Sequence, residues 1–475
     1  MMLSKNKLVY LAKKICDAPR IGRKPNEQGI RLAIKDFGEE VVKSILKEDF
    51  FTVGKSPIDE AILEKLSHPK YGPLVFKLKN QWRVKKEIGD CVRVRYNAKN
   101  KELADEIRKE CLRRGAHPLL TMEDAQKVKE GILLPPIDSL SEFSNFSQGM
   151  LRDVDAIIYL EPDEDPALFS KIPSERMRIG LPSSELARKI WEETKTRAVL
   201  VGWPHPETAK YYNLSKNKFE KIFFDSLFYS FTSEFFDVLK KYRNAFNGFN
   251  KIHIVADDGT DLRFNLGKRH WMVCDGITSE DDLKTGDLYN NLPDGEICTA
   301  PIENSAEGFF FLPRLYVREH GTAENVMVEF RKGKLVNYSA RKGKNHFKKY
   351  LASNNENSRI IGEFGIGCNK KASYTGGYIL IDEKILGTVH IAIGDNKFIG
   401  GENNASGHFD MVKNLRDCHG CVYGDGKLII KNGKLLYEKH SKDRILFESF
   451  IMRLYFDDQY RNAIYYQKLK DTYAH

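Results

Sequence analysis

Nowhere does the sequence hold the roughly 18 consecutive apolar residues that a membrane-spanning helix needs. Its first residues, MMLSKNKLVYLAKKICDAPR, carry an apolar stretch too short and too broken by lysine for a signal peptide. The expectation is a soluble, cytoplasmic protein with no membrane partner. Cysteine is sparse: 8 in 475 residues, scattered without a disulfide framework. The one local pair, Cys418-His419-Gly420-Cys421, has no second CxxC to complete a structural zinc site. Basic charge is present but not concentrated. Lys and Arg number 76 against 66 Asp and Glu, a net +10, and no basic block interleaved with aromatics occurs, so nucleic acid is not an expected partner. A glycine-rich phosphate-binding turn is also missing, which removes the usual signal of a nucleotide site.

What is present divides the chain into three parts. Residues 1–84 read as a helical N-terminal extension. Within it SPIDEAILEKL has Ser56 as a cap, Pro57 at the first helical position and Asp59 near the start, and IRLAIKDFGEEVVKSILKEDFF keeps a helical apolar period. Residues 85–249 alternate strand and helix, as in CVRVRYN, KNKELADEIRKECLRRGAH, VDAIIYLEP, SELARKIWEETKTR and AVLVGWP. That alternation predicts a doubly wound α/β domain on a parallel sheet. It ends in a Phe-rich segment where Phe223, Leu227, Phe231 and Phe235 step by four, read as one connecting helix. Residues 250–475 carry short β-rich runs between turns, starting with KIHIVADDGTDLRFNL around Asp258-Gly259. They predict an α+β domain on a large, mainly antiparallel sheet.

The chemistry concentrates between Gly362 and Asp410. Glu363, Asp382, Glu383, His390, His408 and Asp410 stand there among glycines and β-branched apolar runs. Imidazole and carboxylate together suit zinc, cobalt, manganese or iron(II), and carboxylates in excess of one ion's needs suggest two ions sharing oxygens. The pair His408-x-Asp410 has strand spacing, which puts both side chains on one face. ILIDEKILGTVHIAI reads as two strands around Gly387, delivering Glu383 from the first and His390 from the second. Glu296 falls at a strand start just after a turn.

Five strings in order carry a resemblance: GTDLRF at 259, LPDGEICTAP at 292, GEFGIGCN at 362, DEKILGTVH at 382 and GGENNASGHFDMV at 400. Over about residues 85–475 the chain resembles the aminopeptidase T family of metallo-aminopeptidases. The resemblance implies removal of the N-terminal residue from peptides by water activated between two divalent metal ions. Its implied metal ligands are Glu296, Glu363, His390, His408 and Asp410, with Glu383 as a further carboxylate at the metals. Glu363 or Glu296 is the implied proton carrier, and family members are generally homodimers. One departure stands out: where many members have a tyrosine after the first ligand histidine, this chain has Lys397. Lys397 and Lys384 are candidates to bind the oxyanion, although each is expected to be exposed. Two alternatives accompany this reading. A related branch of the fold holds single-iron ring-cleaving dioxygenases, for which His390, His408 and Asp410 suffice as ligands, while the retained Glu296 and Glu363 favour two ions. A metal-binding protein without hydrolysis is the other.

Overall fold

The computed structural model describes residues 3–39, 42, 87–161, 165, 167–317 and 320–436. The helix expected at SPIDEAILEKL, and much of the one expected from Ile30 onward, lie outside them. The helix Lys5–Asp17 buries Leu8, Leu11, Ala12, Ile15 and Cys16, the spacing of one docking face. That face lies on the helix Lys101–Arg113, where Cys16 Sγ is 3.8 Å from Cys111 Sγ and Lys5 pairs with the buried Glu106. Strands β1 (Arg23–Pro25) and β2 (Glu87–Gly89) make a short antiparallel ribbon.

Next come β3 (Cys91–Tyr96), β4 (His117–Met122), β5 (Ala156–Leu160) and β6 (Arg197–Val201), all parallel. In β5, Ala156, Ile157, Ile158 and Leu160 are all buried, as a central strand covered on both faces requires. The chain steps from β3 out to β4 and then returns past it to β5 and β6, the doubly wound order expected from the sequence.

The Phe-rich segment forms two helices, Lys216–Tyr229 and Ser233–Phe246, where one was expected. Thr232 starts the second by accepting the Phe235 N–H at 3.3 Å. The break falls where the apolar stripe changes cores. Phe223 and Leu227 pack with the parallel sheet, whereas Phe235 and Phe246 pack with the strands that follow.

Those strands are β7 (Lys251–Val255), β8 (Asp261–Asn265), β9 (Met272–Cys274), β10 (Tyr289–Leu292), β11 (Glu296–Thr299), β12 (Glu307–Val317), β13 (Gly321–Arg331), β14 (Lys334–Lys342), β15 (Ile361–Gly367), β16 (Thr388–Gly394), β17 (His408–Asn414), β18 (Cys421–Gly424), β19 (Lys427–Lys431) and β20 (Lys434–Leu435). β10 departs from its neighbours and pairs in parallel with β6 as the fifth strand of the first sheet. The others form two antiparallel sheets, one ordered β14-β13-β12-β8-β7-β18-β19-β20 and the other β17-β16-β15-β11-β9. A single core fills the space between them: Phe264, Phe310 and Val328 come from the larger sheet, and Ile297, Phe364, Ile391 and Met411 from the smaller. Alternation then sends the intervening residues of the smaller sheet to its other face. That face carries the chemistry.

The parallel sheet supports this face through residues 372–385. Tyr378, Leu380 and Ile381 join its core, and the space a Cβ would need at Gly202, just past β6, is taken by Leu380 Cδ2 and the Tyr378 hydroxyl. Tyr378 also donates to Glu161, the residue following β5. The carboxyl ends of β5 and β6, in the region where doubly wound proteins commonly place ligands, are therefore packed against the chain itself.

Candidate metal centre

Four neighbouring strands each contribute to the outer face: Glu296 from β11, Glu363 from β15, His390 from β16, and His408 and Asp410 from β17. Register aligns them, with His390 opposite Gly365, Asp410 opposite Ala392 and His408 opposite Gly394. Gly365 is essential to this alignment. A Cβ there would stand 2.0 Å from His390 Nε2, so the imidazole lies in space that only glycine leaves open.

The donor atoms converge on two points. His390 Nε2 is 3.2 Å from Glu363 Oε1 and 3.3 Å from Glu296 Oε2. His408 Nε2 is 3.0 Å from Glu363 Oε2 and 3.3 Å from Asp410 Oδ1. A ring nitrogen carries at most one proton and cannot donate fully to two carboxylates at once. In each group one ligand atom per residue lies within 4.8 Å of the others, and Glu363 belongs to both. Glu296 Oε2 is buried with no hydrogen-bond partner, a costly state that a cation relieves. These residues therefore fit divalent metal, and Glu363 would contribute to both groups.

Local electrostatics point the same way. Burial works against ionisation of Glu363, but hydrogen bonds from His390 and His408 outweigh it and hold the carboxyl below its ordinary value. Burial would likewise lower both imidazoles. The facing carboxylates reverse this, pushing His390 up to about 9 and raising His408 as well. Protons on the histidines thus supply the positive charge that the carboxylates demand. His408 is oriented by its Nδ1, 2.8 Å from the Asp395 carbonyl, which leaves Nε2 to face the site. Asp395 is tied to the α/β half by Arg188 Nη1 at 2.6 Å.

Glu383 sits differently from the other five. The segment expected as a strand is a helical turn, Ile379–Asp382, because Tyr378, Leu380 and Ile381 must reach the neighbouring core. Glu383 caps that turn and lies outside the two groups, with Oε1 2.8 Å from Lys384 Nζ. Burial pushes its carboxyl up to about 8, with Lys384 partly opposing.

Lys384, expected at the surface, is fully buried. Its ammonium lies 2.6 Å from Glu296 Oε1 and 3.6 Å from Asp294 Oδ1, and these carboxylates, with Glu383, hold it charged against the effect of burial. Local sequence gave no signal for this, since the lysine turns inward only because the preceding turn is helical. Lys397 is exposed, on the short turn Lys397–Ile399. Cys418 and Cys421 contact the backbone carbonyls of Asn414 and His419, and no metal-type group among the described residues includes them.

Comparison with known proteins places this arrangement. Wild-type AmpT from Thermus thermophilus superposes with a TM-score of 0.60 at 20% identity, covering 74% of this chain and 94% of that one. A 2,5-dihydroxypyridine dioxygenase from Pseudomonas putida KT2440 aligns with a TM-score of 0.47 at 15% identity, over 73% of this chain and 92% of the other. At such identities the likeness to AmpT shows the fold. No curated protein sequence matches the chain. The model of the thermophilic metalloprotease family M29 matches residues 68–433. The acidic and histidine groups on the smaller sheet are of the kind that could hold metal, and the chain belongs to this thermophilic metalloprotease family.

Proposed function

We propose that the enzyme removes N-terminal residues from peptides using two divalent ions, zinc, cobalt or manganese, held on the outer face of the smaller sheet. The observation that carries this is the position of Glu363, one oxygen in each donor group. Glu296 and His390 complete one group, His408 and Asp410 the other. Bound by these residues, two ions would supply Lewis acidity, activating water and polarising a carbonyl.

The chain's own groups do the rest. Glu363, with one oxygen in each group, would hold both ions. Proton transfer from the water to the leaving amine falls to a carboxylate that keeps a free oxygen. Glu383 suits this task, since it lies outside both groups yet is held at their edge by Lys384, which also contacts Glu296. Lys384 holds Glu296 by Oε1, leaving Oε2 for the ion. The other expectations are kept as proposals: a homodimer acting in the cytoplasm, and the three-part division at residues 84 and 249. Among the described residues no helix is long and apolar enough to cross a membrane.

The test is hydrolysis of fluorogenic aminoacyl amides by metal-stripped protein, with zinc, cobalt, manganese and iron(II) restored separately. Turnover should return with metal, vanish in Glu363→Gln, and be absent on N-acetylated substrates. Failure of every ion to restore turnover would overturn the proposal, and cleavage of the acetylated substrates would overturn its exopeptidase part.

A further inference from the structure

Beside the two carboxylate and imidazole groups lies a third cluster of different chemistry. Cys274 on β9 is paired in register with Glu296 on β11, and Cys298 follows Glu296 by two residues on the same face. The two sulfurs are 3.8 Å apart, and one Glu296 oxygen lies within 4.8 Å of both. We infer that Cys274, Cys298 and Glu296 form a third metal site, for a thiophilic divalent ion, which shares Glu296 with the hydrolytic centre.

Three observations support this. Ligands about 2.3 Å from a tetrahedral zinc stand roughly 3.8 Å from each other, so the sulfurs already occupy two corners of such a site. Glu296, only 6% exposed, places its carboxylate among buried groups beside the two sulfurs. The strands hold the three residues rigidly, and Ala300, Ile399 and Met272 pack beside the thiols as an apolar wall. A disulfide fits less well, because Cys274 lies diagonal to Cys298 across the ladder, and diagonal neighbours are typically about 7–8 Å apart at Cα, beyond ordinary disulfide reach.

Binding is balanced by loss of both thiol protons to solvent, so that a dication meets two thiolates and a carboxylate, with the fourth position left to water. The pair Cys16 and Cys111 has the same sulfur separation but belongs to no such group among the described residues. It serves as the internal control. A thiophilic ion at the third site draws Glu296 away from His390, so the site is inhibitory. This consequence, unlike the binding itself, rests on the peptidase reading.

The experiment is anaerobic titration of metal-stripped full-length protein with cobalt(II), followed by absorption. The hydrolytic centre offers only oxygen and nitrogen donors, so an intense near-ultraviolet thiolate-to-cobalt band reports cysteine ligation, which the variants assign to a site. It should appear in the wild type and in Cys16→Ser/Cys111→Ser, and vanish in Cys274→Ser and in Cys298→Ala. Absence of the band from the wild type, or its survival in both single variants, overturns the proposal. Cadmium added to the zinc-loaded enzyme should inhibit the wild type at least tenfold more strongly than Cys298→Ala, and equal inhibition would overturn the inhibitory role. If the band is present and no form hydrolyses peptides, the thiolate site stands and the peptidase reading fails.

Discussion

On β15, Phe364 and Ile366 enter a core beside Phe246, Phe264 and Trp271, while Glu363 and Gly365, alternating with them, lie on the face of the donor groups. The inner face is stabilised by removing apolar area from water and by close packing. The outer face buries charges that have too few counter-charges of their own. One strand thus joins a region that supplies stability to a region that consumes it, and the first keeps the second in register. The contrast predicts that substitutions one residue apart will fail in different ways.

Phe364→Ala should have the largest effect in free energy. The ring is fully buried and touches Phe264 with centroids 5.1 Å apart. Its loss should cost about 3–5 kcal/mol of stability, read by denaturant unfolding of the metal-loaded protein. Turnover per folded molecule should stay close to that of the wild type at low temperature. A large fall in turnover there would mean that the two faces are not separable.

Gly365→Ala should do the opposite. Adding one methyl group forces the His390 ring to move, and since His390 Nδ1 has no partner, no hydrogen bond guides it back. A misplacement of this order costs about 100-fold in rate. Turnover should fall by about that factor while the unfolding midpoint of the metal-free protein changes little. Unimpaired turnover would show that His390 is not held by the space above Gly365.

How much of this was legible in the sequence follows the range of the interactions. His408 and Asp410 were readable as a pair because a strand's period is local, and the doubly wound half was readable because strand and helix alternate along the chain. The bridging position of Glu363 was not, since it depends on β15 lying between β11 and β16. Cys298 follows Glu296 by a strand's period and was accessible in principle, but Cys274 joins it only through the β9–β11 register. The apolar stripe from Phe223 to Phe235 showed no break because its spacing is unbroken; only the presence of two cores divides it. The strand expected at ILIDE and the exposure expected of Lys384 failed for a similar reason: the short apolar run gives no sign that Leu380 and Ile381 are drawn into the parallel sheet's core by a helical turn.

Lys384→Met sharpens the comparison most finely, because it places an apolar side chain of similar length at the centre of the charged face. If Lys384 acted only as a counter-charge against the ions, its removal would tighten metal binding by leaving Glu296 and Glu383 more negative. If it acts mainly by fixing Glu296 Oε1 at 2.6 Å, its removal lets that carboxylate rotate and weakens binding. The second effect should prevail. The ammonium contacts three carboxylates on or beside β11 and the 379–382 turn, and without it Glu296 loses the partner that fixes its orientation. Loss of a partner that orients a ligand typically costs about 10–100-fold in metal affinity. Competition with a chromophoric chelator measures it directly: weaker binding within that range supports a positioning role, and tighter binding would show that Lys384 acts as an electrostatic brake on the centre.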